Sequence, residues 1–283
     1  MMSDFAAPHQ VEAPFLDIEN ITVRRNRTNV VKDVSLTIHR GEFVGMVGPN
    51  GGGKSTLVQT VLGLLKCQAG RVSILGQPPM SKGVFGKVAW VSQAAAHLPK
   101  NVRLTVRELV SLGLLSDTNW FLPVQSSTHK VADAIRMVGL EDCIDMDVNR
   151  LSGGQRQRAV IAKALASEAE FLLLDEPLVG MDRASRNSLL KLLDGFCHDQ
   201  NKTILIISHD VAAMRQTAHR LVYLEETIRF DGPPPNFPSL EELASLRGIE
   251  DVHGGHHYDH AAEHCGGGEH PSPQAVWPPK EEA

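Results

Sequence analysis

Nine consecutive residues combine glycines, a lysine and hydroxyl side chains at a spacing that suits phosphate binding. The glycines allow the backbone to turn so that successive N–H groups point at one chain of phosphates. Lys54 would reach the β- and γ-phosphates as a point charge, and the Ser55 hydroxyl would bind Mg²⁺. The pattern G-x-x-x-x-G-K-[ST] is matched without a mismatch by Gly48, Pro49, Asn50, Gly51, Gly52, Gly53, Lys54, Ser55 and Thr56.

The residues on either side of this loop predict the strand and the helix that would hold it. Residues 42–47 are apolar enough for a buried strand, and residues 56–62 fit the first turns of a helix. A helix start adds free N–H groups and the positive end of the helix dipole to a phosphate site. The alternative is a glycine-rich turn with a chance lysine, and the agreement of both flanks with the motif disfavours it.

Polar residues follow three further apolar runs, each of which predicts a strand. They are Gln93, the pair Asp175 and Glu176, and His209. Strands that end in polar side chains are typical of an open α/β sheet whose ligand lies beyond the carboxyl edge. Taken singly, each residue also fits a structural turn, but their order behind an intact phosphate loop favours catalysis.

Each of these strand-end residues has a role near a triphosphate. Asp175 can hold the Mg²⁺ shell, and Glu176 can orient and deprotonate the attacking water. His209 can donate to the γ-phosphate, while Gln93 can place the water or bind the metal. Phosphoryl transfer depends mostly on positioning and electrostatic stabilisation, and these types of side chain can provide both.

A second segment rich in small residues does not fit an ATPase with one self-contained site. Leu151, Ser152, Gly153, Gly154 and Gln155 open a predicted helix, which makes another anion-binding site. With this segment the sequence resembles the ATP-binding cassette (ABC) family of transport ATPases. The resemblance covers about residues 15–235.

The resemblance implies a head-to-tail homodimer that closes on two ATP molecules. Ser152, Gly154 and Gln155 would complete the ATP site of the partner subunit, and Asp182 would lie in the segment that crosses the dimer interface. Gln93 would sense the nucleotide and transmit its state to a membrane subunit. The resemblance also implies integral membrane permease subunits and an extracytoplasmic solute-binding protein.

One position departs from the family pattern. The family usually has an aromatic residue just after the first strand, where it stacks on adenine. Here the corresponding residue is Arg25. A guanidinium can stack on a base plane, so we expect Arg25 to contact the adenine.

The predicted fold is α/β, with a RecA-like P-loop NTPase core, a small antiparallel β subdomain and a helical subdomain at about residues 94–160. Residues 1–14 are expected to be a disordered lead-in, 15–235 the ATP-binding domain and 236–283 a disordered, histidine-rich tail. Strands are predicted at 15–23, 30–38, 42–47, 71–76, 88–93, 171–177, 203–209, 220–224 and 227–231. Helices are predicted at 56–62, 106–115, 129–140, 158–166, 185–197 and 240–246.

Bulk properties limit the class of protein. The chain has 283 residues, 42% hydrophobic and 22% charged, with a formal net charge of −5. The tail holds nine acidic and two basic residues, so the remainder carries +2, and a nucleic-acid partner is not expected. No apolar run approaches the ~18 residues that a membrane-spanning helix needs. The four cysteines are scattered along the chain and are expected to be reduced. These properties predict a cytosolic protein, and the family resemblance implies a peripheral position on the cytoplasmic face of the inner membrane.

Two features point to a transition metal as the transported substrate. Residues 93–106 resemble the zinc and manganese importer branch, in which Leu-Pro and Leu-Thr-Val segments follow the glutamine. Imidazole binds late transition metals, and the tail histidines could therefore bind a regulatory zinc ion that damps import. A solvated extension without a ligand is the alternative for the tail. The proposed zinc-binding residues are His253, His256, His257, His260 and His264.

Three alternatives to a zinc importer remain. A cassette of the same kind can serve manganese, iron or siderophores. A soluble ATP-driven clamp on nucleic acid or ribosomes usually has two cassettes or a long coiled-coil insertion, which this chain lacks. A nucleotide switch with negligible turnover is disfavoured by Glu176 beside Asp175.

Overall fold

A computed structural model describes residues 13–95, 103–115, 128–239 and 242–243. Within these ranges the chain forms nine strands and six helices. The strands are β1 (Leu16–Arg25), β2 (Thr28–Ile38), β3 (Phe43–Val47), β4 (Ala69–Ile74), β5 (Val88–Val91), β6 (Phe171–Asp175), β7 (Thr203–Ile207), β8 (Arg220–Glu225) and β9 (Thr227–Gly232). The helices are α1 (Lys54–Val61), α2 (Val106–Ser111), α3 (Thr128–Met137), α4 (Gly153–Ala166), α5 (Arg183–Gln200) and α6 (Val211–Thr217).

The larger sheet has the strand order β5-β6-β7-β3-β8-β9. Its first five strands are parallel, and β9 is antiparallel to β8. Every residue of β3, β6 and β7 is buried, as expected for apolar runs in a parallel sheet covered on both faces. Because parallel strands end at one edge, the residues after β3, β5, β6 and β7 are brought together there.

The smaller sheet is antiparallel, with the order β2-β1-β4. The strands predicted at 15–23 and 30–38 are both longer than expected, so that the turn between β1 and β2 has only two residues. Asn26 and Arg27 form the turn with φ of 46° and 71°, which matches the twist of a tight hairpin. Phe15 packs its ring 5.4 Å from that of Phe171, and this contact fixes the small sheet against the larger one.

Helices α2, α3 and α4 pack together in the region between β5 and β6. Thr105 caps α2 through a reciprocal pair of hydrogen bonds with Glu108. The helix predicted at 106–115 is wrong beyond Ser111, where a short 3₁₀ turn, Leu112–Leu114, takes over. Gly113 lies so close to α4 that an added Cβ would be 2.0 Å from the carbonyl oxygen of Lys163. This close approach explains the tighter turn.

Other element boundaries differ by a few residues from the predictions. The strand predicted at 88–93 ends at Val91, so Gln93 lies in the turn beyond it. Helix α1 begins at Lys54, earlier than predicted, and α5 extends three residues past the predicted end at 197. The α/β class with a P-loop core, an antiparallel sheet and a helical part is confirmed.

Several predictions lie wholly or mostly outside the described residues. They concern the lead-in, the helix at 240–246 and the histidine-rich tail. Packing against the core continues to Phe237, whose ring is 5.3 Å from that of Phe230. No helix in the described ranges is long and apolar enough to cross a membrane.

Candidate functional site

The phosphate loop links the carboxyl end of β3 to the start of α1. Gly53 occupies the N-cap position of α1 with φ 95°, and no side chain caps the helix. The first N–H groups of α1 therefore remain available to an anion. Gly48 has φ 151°, and a Cβ there would lie 2.1 Å from the carbonyl oxygen of Leu224. Only glycine fits at this point of the loop.

The turn between β8 and β9 contacts the phosphate loop and supports its conformation. The backbone N–H of Glu226 donates to the carbonyl oxygen of Gly52 at 3.0 Å. Lys32 of β2 binds the same turn twice, through its N–H to the Glu226 carbonyl at 2.7 Å and through Nζ to Oε2 at 2.6 Å. Sequence reasoning missed Lys32 and Glu226 because they lie far from the motif along the chain.

Lys54 is buried at the mouth of the loop, with 7% of its surface exposed. Its Nζ donates to the carbonyl oxygens of Gly48 and Pro49, both at 2.8 Å. Burial lowers the pKa of Lys54, and the carboxylates of Glu176 and Asp175 oppose this shift. The ammonium is thus held inside the loop by the loop's own backbone.

Asp175 is the last residue of β6 and is 6% exposed. Burial raises its pKa, as does the charge of Glu176, whereas a hydrogen bond from Ser55 and the charge of Lys54 lower it. Its Oδ1 atom has no hydrogen-bond partner among the residues that the structure describes. A buried, unpaired carboxylate oxygen beside a hydroxyl fits a hard cation with oxygen ligands. Asp175 and Ser55 are therefore suited to hold Mg²⁺.

Glu176 and His209 contact each other directly. The Oε2 atom of Glu176 lies 2.8 Å from Nδ1 of His209. Glu176 is fixed by its N–H, which donates to the Ile207 carbonyl oxygen at 2.9 Å, and it adopts a φ of 52°. Its side chain is only 11% exposed, whereas that of His209 is 63% exposed. The structure therefore pairs the predicted base with the predicted γ-phosphate donor.

Gln93 and Arg25 occupy exposed positions around this edge. Gln93 lies in the turn after β5, which is the neighbour of β6 in the sheet. Arg25 ends β1 beside its two-residue hairpin turn. The β1–β2 hairpin lies close to the phosphate loop. A Cβ added to Gly53 would be only 2.6 Å from the Val30 carbonyl oxygen. Adenine stacking by Arg25 stays a prediction.

The second glycine-containing segment starts α4. Ser152 accepts the Gln155 N–H at 3.2 Å through Oγ, and Gln155 accepts the Ser152 N–H at 3.0 Å through Oε1. Ser152 and Gly153 are exposed, whereas Gly154 is buried against Ser185. These bonds cap the helix within the chain and leave Ser152 facing outward.

Asp182 caps the neighbouring helix, α5. It accepts from the N–H of Ser185 at 2.9 Å and from the hydroxyl of Ser185 at 2.7 Å. These two bonds lower the pKa of Asp182. Because Ser185 also contacts Gly154, Asp182 and the segment around Ser152 lie side by side.

An ion pair that the sequence did not reveal fixes the chain after His209. Arg186 of α5 binds the carboxylate of Asp210. Asp210 also caps α6 by accepting from Ala213 N at 3.0 Å, and its own N–H donates to Ser208 Oγ at 3.0 Å. Arg186 and Asp210 lie on elements that only the fold brings together, so no local pattern could have indicated the pair.

These features define a P-loop ATPase fold with a candidate nucleotide site at the sheet edge. A family model described as "ABC transporter" matches residues 31–179. The chain belongs to the ABC transporter family, and its cassette is homologous to ATP-hydrolysing cassettes.

Relatives and solved structures agree with this family. The chain is 30% identical to the zinc uptake system ATP-binding protein ZurA of Listeria innocua, over 84% of this chain and 95% of the relative. It is 31% identical to the manganese transport system ATP-binding protein MntB of Halalkalibacterium halodurans, over 82% and 91%. A dimeric ATP-binding cassette in a post-hydrolysis state, bound to ADP and Pi, matches with a TM-score of 0.67 at 27% identity, over 78% and 100%.

The substitution Asp175→Asn tests the electrostatics of the site. The folded-state pKa of Asp175 is raised, so its charge destabilises the fold above that pKa and ceases to do so as acid protonates it. We expect the nucleotide-free variant to be more stable than the wild type near neutral pH, with a gap that closes on acidification. Each kcal/mol of this gain moves the thermal midpoint by roughly 2–4 °C.

The control is Glu170→Gln, because hydrogen bonds from Lys87 and Arg40 lower the pKa of Glu170, so that removing its charge has the opposite effect on stability. Glu170 comes directly before β6, whereas Asp175 ends that strand. Thermal midpoints are measured across a pH series with and without ATP and Mg²⁺. The Mg²⁺-dependent stabilisation by ATP should be lost in Asp175→Asn and kept in Glu170→Gln. A difference in thermal midpoint between Asp175→Asn and the wild type that stays the same at every pH would contradict the role of the buried charge.

Proposed function

We propose that this chain is the ATP-hydrolysing subunit of an importer for a divalent transition metal, with zinc as the substrate. The observation that carries the proposal is similarity to a zinc-uptake ATP-binding protein over nearly the whole of that relative. Manganese is the second candidate, because the manganese relative matches at a similar identity. The soluble clamp on nucleic acid or ribosomes is not favoured by these relatives.

The geometry of the edge supports the following roles. The N–H groups of the loop and Lys54 bind the triphosphate. Ser55 and Asp175 would hold Mg²⁺, which would supply positive charge to neutralise the phosphates. Glu176 takes a proton from the attacking water on a carboxylate oxygen. His209 orients Glu176 through Nδ1, which leaves Nε2 to donate to the γ-phosphate.

The proposal includes a head-to-tail homodimer. Ser152 is exposed beside Asp182 on one surface, so both are accessible to a second copy of the chain. In that dimer the Ser152 hydroxyl and the N–H groups at the start of α4 complete the partner's ATP site. The dimeric cassette described above supports this arrangement.

Glu176→Gln keeps the size of the side chain and removes the base. We expect ATP turnover to fall by about 10²-fold or more, while ATP still binds and the dimer accumulates. Turnover is measured by phosphate release, and pairing by light scattering with saturating ATP. Glu168→Gln is the control, since Glu168 forms an exposed ion pair with Lys130 away from the site. Full turnover in Glu176→Gln would refute its role as the base.

A membrane permease is the proposed partner, and an apolar groove beside Gln93 is its docking site. The groove has a volume of about 630 Å³. Phe85 and Leu115 line it and are 54% and 56% exposed, which is unusual for large apolar side chains in a continuous patch. Trp90 and Ala95, which flank Gln93 in the chain, also line it. An apolar helix of the permease fits this surface, and its contact would link the membrane subunit to the nucleotide edge.

Leu115→Asp places a charge in the groove at an exposed position. We expect the variant to lose at least about tenfold in affinity for the permease, because the carboxylate would have to be desolvated on binding. Co-purification from membranes measures this, and the ATPase activity of the isolated cassette should be unchanged. Met146→Asp is the control, since Met146 is 39% exposed and lies outside the groove. Equal retention of both variants would contradict the docking site.

The transported metal is tested in cells that lack this chain. Grown without each metal in turn, they should lose cellular zinc severalfold and fail to grow only without zinc. A plasmid copy of the wild type restores both, and the Glu176→Gln copy does not. If manganese content falls while zinc is unchanged, manganese replaces zinc in the proposal.

The other partners and the location follow from an import system. They are an extracytoplasmic solute-binding protein and a peripheral position on the cytoplasmic face of the membrane. Regulation by zinc at the tail, including His253 and His264, stays a prediction, because the tail lies outside the described residues.

A further inference from the structure

Three potential metal ligands meet at the edge of the larger sheet that is opposite the nucleotide site. Asp194 and His198 are one turn apart on α5, and His219 comes just before β8. The N–H of His219 donates to the Phe43 carbonyl oxygen at 2.8 Å. Phe43 is the first residue of β3, whereas the phosphate loop follows the last residue of that strand. The two sites therefore lie at opposite ends of β3.

Two of the three separations between the ligand atoms already suit a tetrahedral zinc ion. Asp194 Oδ1 lies 3.2 Å from His219 Nε2 and 3.4 Å from His198 Nε2. All three atoms lie within 4.8 Å of one another. Bonds of about 2.0–2.1 Å in a tetrahedron place neighbouring ligand atoms roughly 3.3 Å apart. Two of the three distances between ligand atoms therefore match the tetrahedral value before any side chain moves.

We propose that Asp194, His198 and His219 form a zinc site. Two imidazole nitrogens and one carboxylate oxygen form a ligand set that suits zinc, and water would take the fourth position. The imidazole rings, with centroids 5.0 Å apart and planes tilted by 49°, can reach the third distance by a small side-chain rotation. This site goes beyond the proposed function, since it does not depend on which metal is transported.

The surroundings define which groups belong to the ligand set. Cys197 adjoins His198 in the chain but is buried, and its sulfur is not among the ligand atoms that converge at this point. The side chain of His198 is 64% exposed, and those of His219 and Asp194 are 36% and 38% exposed. An ion can therefore enter from solvent without opening the fold.

The alternative is that Asp194 only accepts hydrogen bonds from the two imidazoles. His219 Nδ1 faces the Phe43 N–H at 3.4 Å, which is a long hydrogen bond. Zinc on Nε2 places the ring proton on Nδ1, because a neutral imidazole has one donor and one acceptor nitrogen. That proton would displace the Phe43 N–H from its contact. The amide of Phe43 is therefore a reporter that distinguishes zinc binding from a hydrogen-bonded cluster.

The test uses the full chain with Zn²⁺, in solution and in crystals. Because the tail histidines also bind zinc, counting ions is not enough, and the readouts must be local. The amide resonance of Phe43 is followed during a titration, and anomalous scattering at the zinc edge locates the ion. His198→Ala removes an exposed ligand without touching the core. His129→Ala is the matched control, since it removes an exposed histidine on α3, away from the cluster.

We expect zinc to shift the Phe43 resonance in the wild type and in His129→Ala, and to give an anomalous peak between the three side chains. In His198→Ala the apparent affinity read from Phe43 should fall by about 100-fold or more, because loss of a ligand exceeds the effect of losing its supporting contacts. Asp194→Asn should weaken binding as well. An unshifted Phe43 resonance in the wild type at excess zinc, or a peak that persists unchanged in His198→Ala, would overturn the proposal.

Discussion

Two opposite charges are buried at the carboxyl edge of the larger sheet, and the rest of the site is arranged around them. Lys54 and Asp175 are 7% and 6% exposed, yet among the described residues no ion pair joins them. Burying charges without pairing costs several kcal/mol, so the surrounding structure has to hold each one. Two loop carbonyls hold Lys54, and the fully buried strand β6 fixes Asp175. The space between Lys54 and Asp175 suits a ligand with negative phosphate oxygens for the lysine and a bound cation for the aspartate.

Holding these charges in place involves distant parts of the chain. Gly52 of the phosphate loop accepts a hydrogen bond from Glu226, and Glu226 in turn accepts hydrogen bonds from Lys32 of the small sheet. On the other side, Arg186 fixes Asp210 directly after His209. Glu176 adopts a φ that non-glycine residues rarely have. Such local strain persists only where neighbouring contacts over-determine it, and here the Ile207 carbonyl and His209 provide those contacts.

Local sequence patterns predicted the loop, the order of the strand-end residues and the fold class. They succeeded because each depends on neighbours in the chain: glycines beside Lys54, or an apolar run before Asp175. Boundaries failed where tertiary contact decided them, as at Gly113, whose backbone lies against α4. The pairs Arg186 with Asp210 and Asp194 with His219 join residues 24 and 25 positions apart. Sequence periodicity cannot predict such pairs, because they arise only when α5 packs against the start of α6 and the residue before β8.

Helix α5 runs from the surface proposed for the dimer to the proposed zinc site. Its first residues follow Asp182, on the surface proposed for the dimer, and its last turns hold Asp194 and His198. An α-helix of 18 residues spans about 27 Å and does not change length, so a constraint at one end reaches the other only as a tilt or rotation of the whole helix. The bond between Arg186 and Asp210 restrains that movement near the first turn. Zinc at the far end would restrain it a second time, by joining α5 to the start of β8. The two restraints act on a single rigid element, and its orientation sets where Asp182 lies relative to Gly154.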